Sequence, residues 1–441
     1  MSSALAPPLA GVITLLVLGI LCFQGLIDLE WAIDLGPWHA NAPWVDLLAL
    51  ALLPLAVGGR LLGTRRAREN LTRALSDPPL PGIRGAALLG LACALSIATA
   101  VDSGAALHHL LRKPLFMYVV YAGGLAWAVA RVVPTRVVLT GMLAYVLGTS
   151  LLSLASSAQR IVSGDALWFQ AIAGLTPNHK TLAVALAAWL PLLAVAGSRL
   201  PRSLKGPSRV ILVLMLTAIA ASFSRTAWIT TLFGIGLFFP RLRPFSTRPR
   251  LVLPTLAAAL LAASMMPLLL ESKVMLDAAR SRHSLNKRAW QMFVDHPLVG
   301  SGTGMNTVIE QVIFPHYRVN GVDAHGAIQK VGSETGLLGL AGFGWMTWAT
   351  GTVLLRRSRQ DPPQDSEPST GHELVTTGLD YGLLGTWMAL HVNLLLSTET
   401  FSPTHWVPLT VCWGLSHRAT SLDTTAPMST PGSSSSQEGT S

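Results

Sequence analysis

Thr181-Leu182-Ala183-Val184-Ala185-Leu186-Ala187-Ala188-Trp189-Leu190-Pro191-Leu192-Leu193-Ala194-Val195-Ala196-Gly197-Ser198 carries no charged side chain. At about 1.5 Å of rise per residue, a helical run of this length nearly spans the ~30 Å hydrocarbon core of a bilayer. Comparable runs lie at 8–27, 44–63, 82–101, 114–131, 137–155, 209–223, 226–240, 251–270, 336–355, 378–397 and 401–416. They predict an all-α polytopic membrane protein with about 12 transmembrane helices. The pair 209–223 and 226–240 is short and split only by Ser224-Arg225, which fits a broken hairpin whose turn dips into the membrane.

Composition agrees. Hydrophobic residues make up 51% of the chain and charged residues only 12%, about half the charged share of a soluble domain, which excludes a soluble fold. Cys22, Cys93 and Cys412 all fall inside apolar runs, with neither disulfide nor metal-ligand spacing. Met1-Ser2-Ser3-Ala4 offers no basic region ahead of the first run, which therefore reads as a retained span.

Short loops set the orientation, because Lys and Arg mark the cytoplasmic side. Basic loops recur at Arg65, Arg66, Arg68 and Arg73; at Arg131 and Arg136; at Arg199, Arg202, Lys205 and Arg209; at Arg241, Arg243, Arg248 and Arg250; and at Arg356, Arg357 and Arg359. Every second loop is basic, whereas 28–45 holds Asp28, Glu30 and Asp34 and no Lys or Arg. Both termini then lie inside, and the net charge of +10 records topology, not nucleic-acid binding.

The long outer segment 271–335 breaks the pattern with Lys273, Arg280, Arg282, Lys287, Arg288, Arg318 and Lys330, set against Glu271, Asp277, Asp295, Glu310, Asp323 and Glu334. A solvated loop and an anion-binding surface both fit that balance. Leu285 to Val294 and Met305 to Phe314 look helical, with a break at Pro297 and Gly300, Gly302 and Gly304. The chain thus divides into nine spans over 1–270, the outer segment 271–335, three spans over 336–416, and a Ser/Thr/Pro/Gly-rich tail, 417–441, expected to be disordered on the cytoplasmic side.

Two polar features stand out at the outer boundary. Arg225 sits at the tip of an apolar hairpin, where a guanidinium either faces a partner or polar cavity or snorkels to the interface. His325, in Asp323-Ala324-His325-Gly326, is an imidazole near the start of a span, a proton acceptor beside Arg280, Arg282, Lys287 and Arg288.

Ser224-Arg225-Thr226-Ala227-Trp228, Arg288-Ala289-Trp290 followed by His296-Pro297-Leu298-Val299-Gly300-Ser301-Gly302, and His325 with Gly336 and Gly339 resemble, in that order, the signatures of the O-antigen ligase and polymerase superfamily. Thr176-Pro177-Asn178-His179-Lys180 resembles a further family element, so the resemblance covers roughly 170–345. The residue after the family histidine is commonly Asn, Ser or Gln, and here it is Gly326.

The resemblance implies a glycosyltransferase-C-like enzyme of the bacterial inner membrane whose periplasmic site takes a glycan from undecaprenyl pyrophosphate and joins it to an acceptor hydroxyl, without cofactor or metal. In the ligase branch the acceptor is a sugar of the lipid A core; polymerases extend another lipid-linked repeat, and protein O-oligosaccharyltransferases use Ser or Thr. Absence of a large extra periplasmic domain favours the ligase. In that reading Arg225 and Arg288 grip the pyrophosphate with two-pronged hydrogen bonds and His325 removes the acceptor proton. His179, Lys180, Arg112 and Lys113 are substrate-binding candidates at predicted outer helix ends, with interfacial anchoring as the alternative. His283, His296 and His316 are outer-face residues suited to sugars, and His391 is expected to be a satisfied packing residue.

Other classes make different demands. A lipid-linked glycan flippase or transporter calls for two related halves, and the sequence has no such symmetry. A non-catalytic scaffold for glycan assembly fits the topology equally well, and only loss of activity in a His325 variant separates it from an enzyme. A metal-dependent rival would use Asp28, Glu30 and Asp34, whose simpler role is a solvated interface.

Overall fold

In the computed structural model the described residues are 7–24, 30–34, 39–43, 47–52, 54–55, 80–115, 117–164, 179–199, 202–222, 224–236, 273–306, 326–359, 373–396 and 403–423. The principal helices are α1 (Pro7–Phe23), α2 (Ile83–Leu95), α3 (Ser103–Leu110), α4 (Ala126–Arg131), α5 (Thr135–Val162), α6 (His179–Arg199), α7 (Arg202–Ala221), α8 (Arg225–Gly236), α9 (Lys273–Asp295), α10 (Ala327–Arg359), α11 (Glu373–Leu396) and α12 (Pro403–Asp423). A 3-10 turn, Ser96–Thr99, extends α2, and π-helical turns at Leu111–Leu115 and Met117–Leu125 join α3 to α4.

The all-helical expectation needs one amendment. Glu30–Asp34 and His39–Pro43 pair as a two-stranded antiparallel ribbon across Leu35-Gly36-Pro37-Trp38, so this acidic segment has strand structure. Glu30 and Asp34 are in its first strand, and Asp28 lies outside the described residues.

The opening stretch becomes the centre of the bundle. Every residue from Thr181 to Leu193 in α6 is buried, including Trp189, because α6 is enclosed by α7, α8 and α11. A helix that is apolar all round has no face to give to water. The outer surface is apolar too: Leu15, Leu151, Leu152, Val213, Leu232, Phe233 and Trp348 are exposed, the distribution a lipid solvent requires and water penalises. Two described helices, α5 and α10, are individually long and apolar enough to cross a bilayer, and α1, α2, α6 and α7 hold shorter apolar stretches. Candidate span 251–270 lies outside the described residues.

Small residues let helices touch backbone to backbone where packing, not the hydrophobic effect, drives association. In the crossing of α2 and α10, a Cβ on Gly85 would lie 2.8 Å from the Gly342 carbonyl oxygen, and one on Gly342 would lie 2.9 Å from Leu89 Cα. That crossing holds α10 in place for the site described below.

Basic residues in the last turns of separate helices gather at one end of the bundle. Arg357 of α10 pairs with Asp380 of α11 at 3.4 Å and donates to the Ser416 carbonyl of α12, while Arg131 of α4 donates to His417 Nε2 at 3.3 Å. Removing one partner of a buried ion pair strands the other charge. Arg357→Ala is expected to cost about 3 kcal/mol, read as a lowered thermal midpoint of solubilised protein, with partial recovery when Asp380→Ala is added. An unchanged midpoint would show that the pair contributes nothing.

Three boundaries move. The tenth span, expected from 336, belongs to a helix that begins at Ala327, because Gln329, Lys330, Ser333, Glu334 and Thr335 depress hydropathy in a stretch that is nonetheless helical. The outer helix expected at 285–294 runs from Lys273 to Asp295. α12 continues through 417–423, residues expected to be disordered, while 424–441 lie outside the described residues.

Candidate functional site

The glycine loop after α9 and the kink in α10 build one another. Gly336 has φ 64° and ψ −159°, a region open essentially only to glycine, and it divides α10. In an unbroken helix the Leu337 and Leu338 amides would donate to the Ser333 and Glu334 carbonyls. Here they donate instead to the Pro297 carbonyl at 2.8 Å and the Leu298 carbonyl at 3.2 Å. The released Ser333 and Glu334 carbonyls accept from the Ser301 amide at 2.8 Å and the Gly302 amide at 3.1 Å. Four backbone groups change partner and none is left unpaired, as a buried or lipid-covered site demands.

Glycines permit this approach. Gly300, at φ 76°, presses against the Glu334 and Thr335 backbone, where any Cβ would collide. Side chains complete the clamp. Ser301 Oγ donates to the Met292 carbonyl of α9 at 3.0 Å, Thr99 Oγ1 donates to the Gly300 carbonyl at 2.6 Å, and the Thr303 amide donates to Ser96 Oγ at 3.0 Å. Asn306 Nδ2 reaches Ser333 Oγ at 2.8 Å and Glu334 Oε1 at 3.2 Å. Lys330 and Glu334, four residues apart on α10, are both buried, at 3% and 1% exposure. Opposite charges at this spacing share one helix face.

Of the expected site residues, Arg288, Arg112 and Lys113 lie on elements that meet this clamp or adjoin one that does. Arg288 is half-buried on α9, two turns ahead of the loop, and α9 packs on α10. His283, Lys287 and His296 are exposed. His109 Nδ1 lies 3.2 Å from Thr303 Oγ1, which ties α3 to the loop and brings the turn carrying Arg112 and Lys113 near it; Lys113 is exposed. Arg225 is the first residue of α8, set by a turn in which the Ala227 amide donates to Ser224 Oγ at 3.4 Å and Trp228 Nε1 donates to the Ile219 carbonyl at 3.1 Å. α8 packs mainly on α6 and α11, so Arg225 and Arg288 arrive on different supports. His179 and Lys180 open α6.

His325, the proposed base, lies outside the described residues, as do His316 and the 307–314 part of the predicted second outer helix. Its successor Gly326 is described and explains the departure at that position: φ is 107°, and a Cβ would lie 2.8 Å from the Leu395 carbonyl oxygen. A larger residue would have to displace the end of α11. His391 is only half satisfied, as its Nδ1 meets the Trp387 carbonyl at 2.8 Å while Nε2 finds no partner among the described residues.

Sequence reasoning counted Lys330 and Glu334 only as loop charges, and passed over His109 and Asn306. Polar residues adjoining glycine-rich turns were the available signal. Residues 210–344 match a family model described as O-Antigen ligase, which spans the hairpin of Arg225, the helix of Arg288, the glycine loop and the kink. No curated protein matches the chain.

Proposed function

We propose, from the premise that residues 210–344 carry an O-antigen ligase family domain, that the protein transfers a glycan from undecaprenyl pyrophosphate to a sugar hydroxyl of the lipid A core. The observation that carries this reading is the exchange of backbone hydrogen bonds between 297–302 and 333–338, because it locks the helix bearing Arg288 to the one that follows His325. Such a lock suits a site in which a cation and a base must keep a fixed separation.

The reaction is a single inverting displacement. The acceptor oxygen bonds to the anomeric carbon as the bond from that carbon to pyrophosphate breaks, and His325 takes the acceptor proton. Charge grows on the leaving pyrophosphate, where Arg225 and Arg288 supply hydrogen bonds that strengthen with it. Lys180, His179, Arg112 and Lys113 hold outlying phosphates or sugars. Arginines do the neutralising that a divalent cation does in other glycosyltransferases. In this reading 271–335 is the catalytic segment, joined by Arg225, and faces the periplasm of an inner-membrane protein of about twelve spans with both termini cytoplasmic.

Purified protein given lipid-linked glycan and lipid A core is expected to form ligated product at an undiminished rate in excess chelator. Activity lost to chelator and restored by magnesium would move the chemistry to Asp28, Glu30 and Asp34. Extension of lipid-linked repeats without transfer to core would make the protein a polymerase instead.

A further inference from the structure

A second polar site lies inside the bundle, away from the glycine loop. His391 of α11 and His405 of α12, 9% and 3% exposed, both line a small cavity between α2, α10, α11 and α12 whose other walls include Leu89, Phe343, Met346 and Trp406. The hydrogen bonds around them fix which ring nitrogen is a donor. His391 Nδ1 faces the Trp387 carbonyl, which only accepts, so Nδ1 carries the hydrogen and Nε2 is an acceptor. The Asn393 side-chain nitrogen donates to His405 Nε2, so in the neutral ring the hydrogen is on Nδ1. Neither His391 Nε2 nor His405 Nδ1 has a partner among the described residues.

Two residues that line one cavity thus carry one unfilled acceptor and one unfilled donor, on adjacent helices. Leaving each buried and unpaired costs about 1–3 kcal/mol. The cavity has room for about one water molecule. We propose that it is a water site, in which a single water accepts from His405 Nδ1 and donates to His391 Nε2, joining α12 to α11 within the membrane. Interhelical bonds of this kind replace the missing hydrophobic drive between spans. The bridge lies one helical turn along α11 from Leu395, whose carbonyl abuts Gly326, so it steadies the support behind the residue next to His325.

Hydroxyl-radical footprinting of the full-length protein in lipid nanodiscs, irradiated in heavy-oxygen water, reads bound water directly. Met346 lines the cavity at 2% exposure, while Met142 and Met215, fully buried elsewhere, serve as internal references. Met346 and Trp406 are expected to take up heavy oxygen several-fold more than the reference methionines do. In His391→Phe/His405→Phe protein, Met346 should fall to the reference level. Equal labelling of Met346, Met142 and Met215 in the unaltered protein overturns the proposal, as does full Met346 labelling in the double variant. The unaltered protein suffices for the first comparison should the variant fail to fold. None of these readouts depends on transferase activity.

Discussion

His325→Ala protein is expected to lose about 10²-fold or more of its turnover while binding the lipid-linked donor normally, since a positioned general base contributes at least that much. The arginines should behave differently. Arg288→Lys and Arg225→Lys keep the charge but lose the planar two-pronged contact proposed for them, so both should lower turnover and weaken donor binding together. Lys113 and Lys180 variants should lose less, as outlying phosphate contacts would. Normal activity in His325→Ala or Arg225→Ala protein, at normal expression, would refute the mechanism while leaving the helical architecture untouched.

Gly336→Ala should be nearly as damaging, for a backbone reason. A Cβ at that position would lie 2.5 Å from the Leu298 carbonyl carbon and oxygen and 2.6 Å from the Val299 nitrogen, atoms that cannot rotate away. Forcing a residue other than glycine into this conformation costs about 1–3 kcal/mol before the clash is counted. The clash would part the loop from α10 and break the four exchanged backbone bonds. We expect transfer activity to vanish and the thermal midpoint to fall. Gly344→Ala is the control, on the same helix, where a Cβ would meet nothing within 4 Å. If the two variants are equally stable and active, the clamp is not what organises the site.

Both predictions start from residues that stood out in the sequence, yet the structure changes what they mean. Gly336 and Gly339 were legible as a motif, but hydropathy put the start of the span there and missed the helical turns from Ala327. The reason is local: Lys330 and Glu334 look like loop charges until their burial, and the bond from Asn306 to Glu334, are known. Gly326 read as a departure from the family pattern, and its left-handed φ beside the Leu395 carbonyl gives that departure a steric cause. His391 looked like a satisfied packing residue, and only its neighbours reveal the unfilled acceptor.

By itself the sequence determined the apolar character of each run and the order of the parts. Long uncharged runs such as 181–198 require lipid or a fully apolar interior, because both properties are sums over neighbouring residues. Tertiary structure decided which run is enclosed, and α6 is central because α7, α8 and α11 surround it. It also decided that the carbonyls released at Gly336 find the Ser301 and Gly302 amides. Such pairings depend on segments more than thirty residues apart meeting within hydrogen-bond distance, and no local property of the chain encodes that meeting.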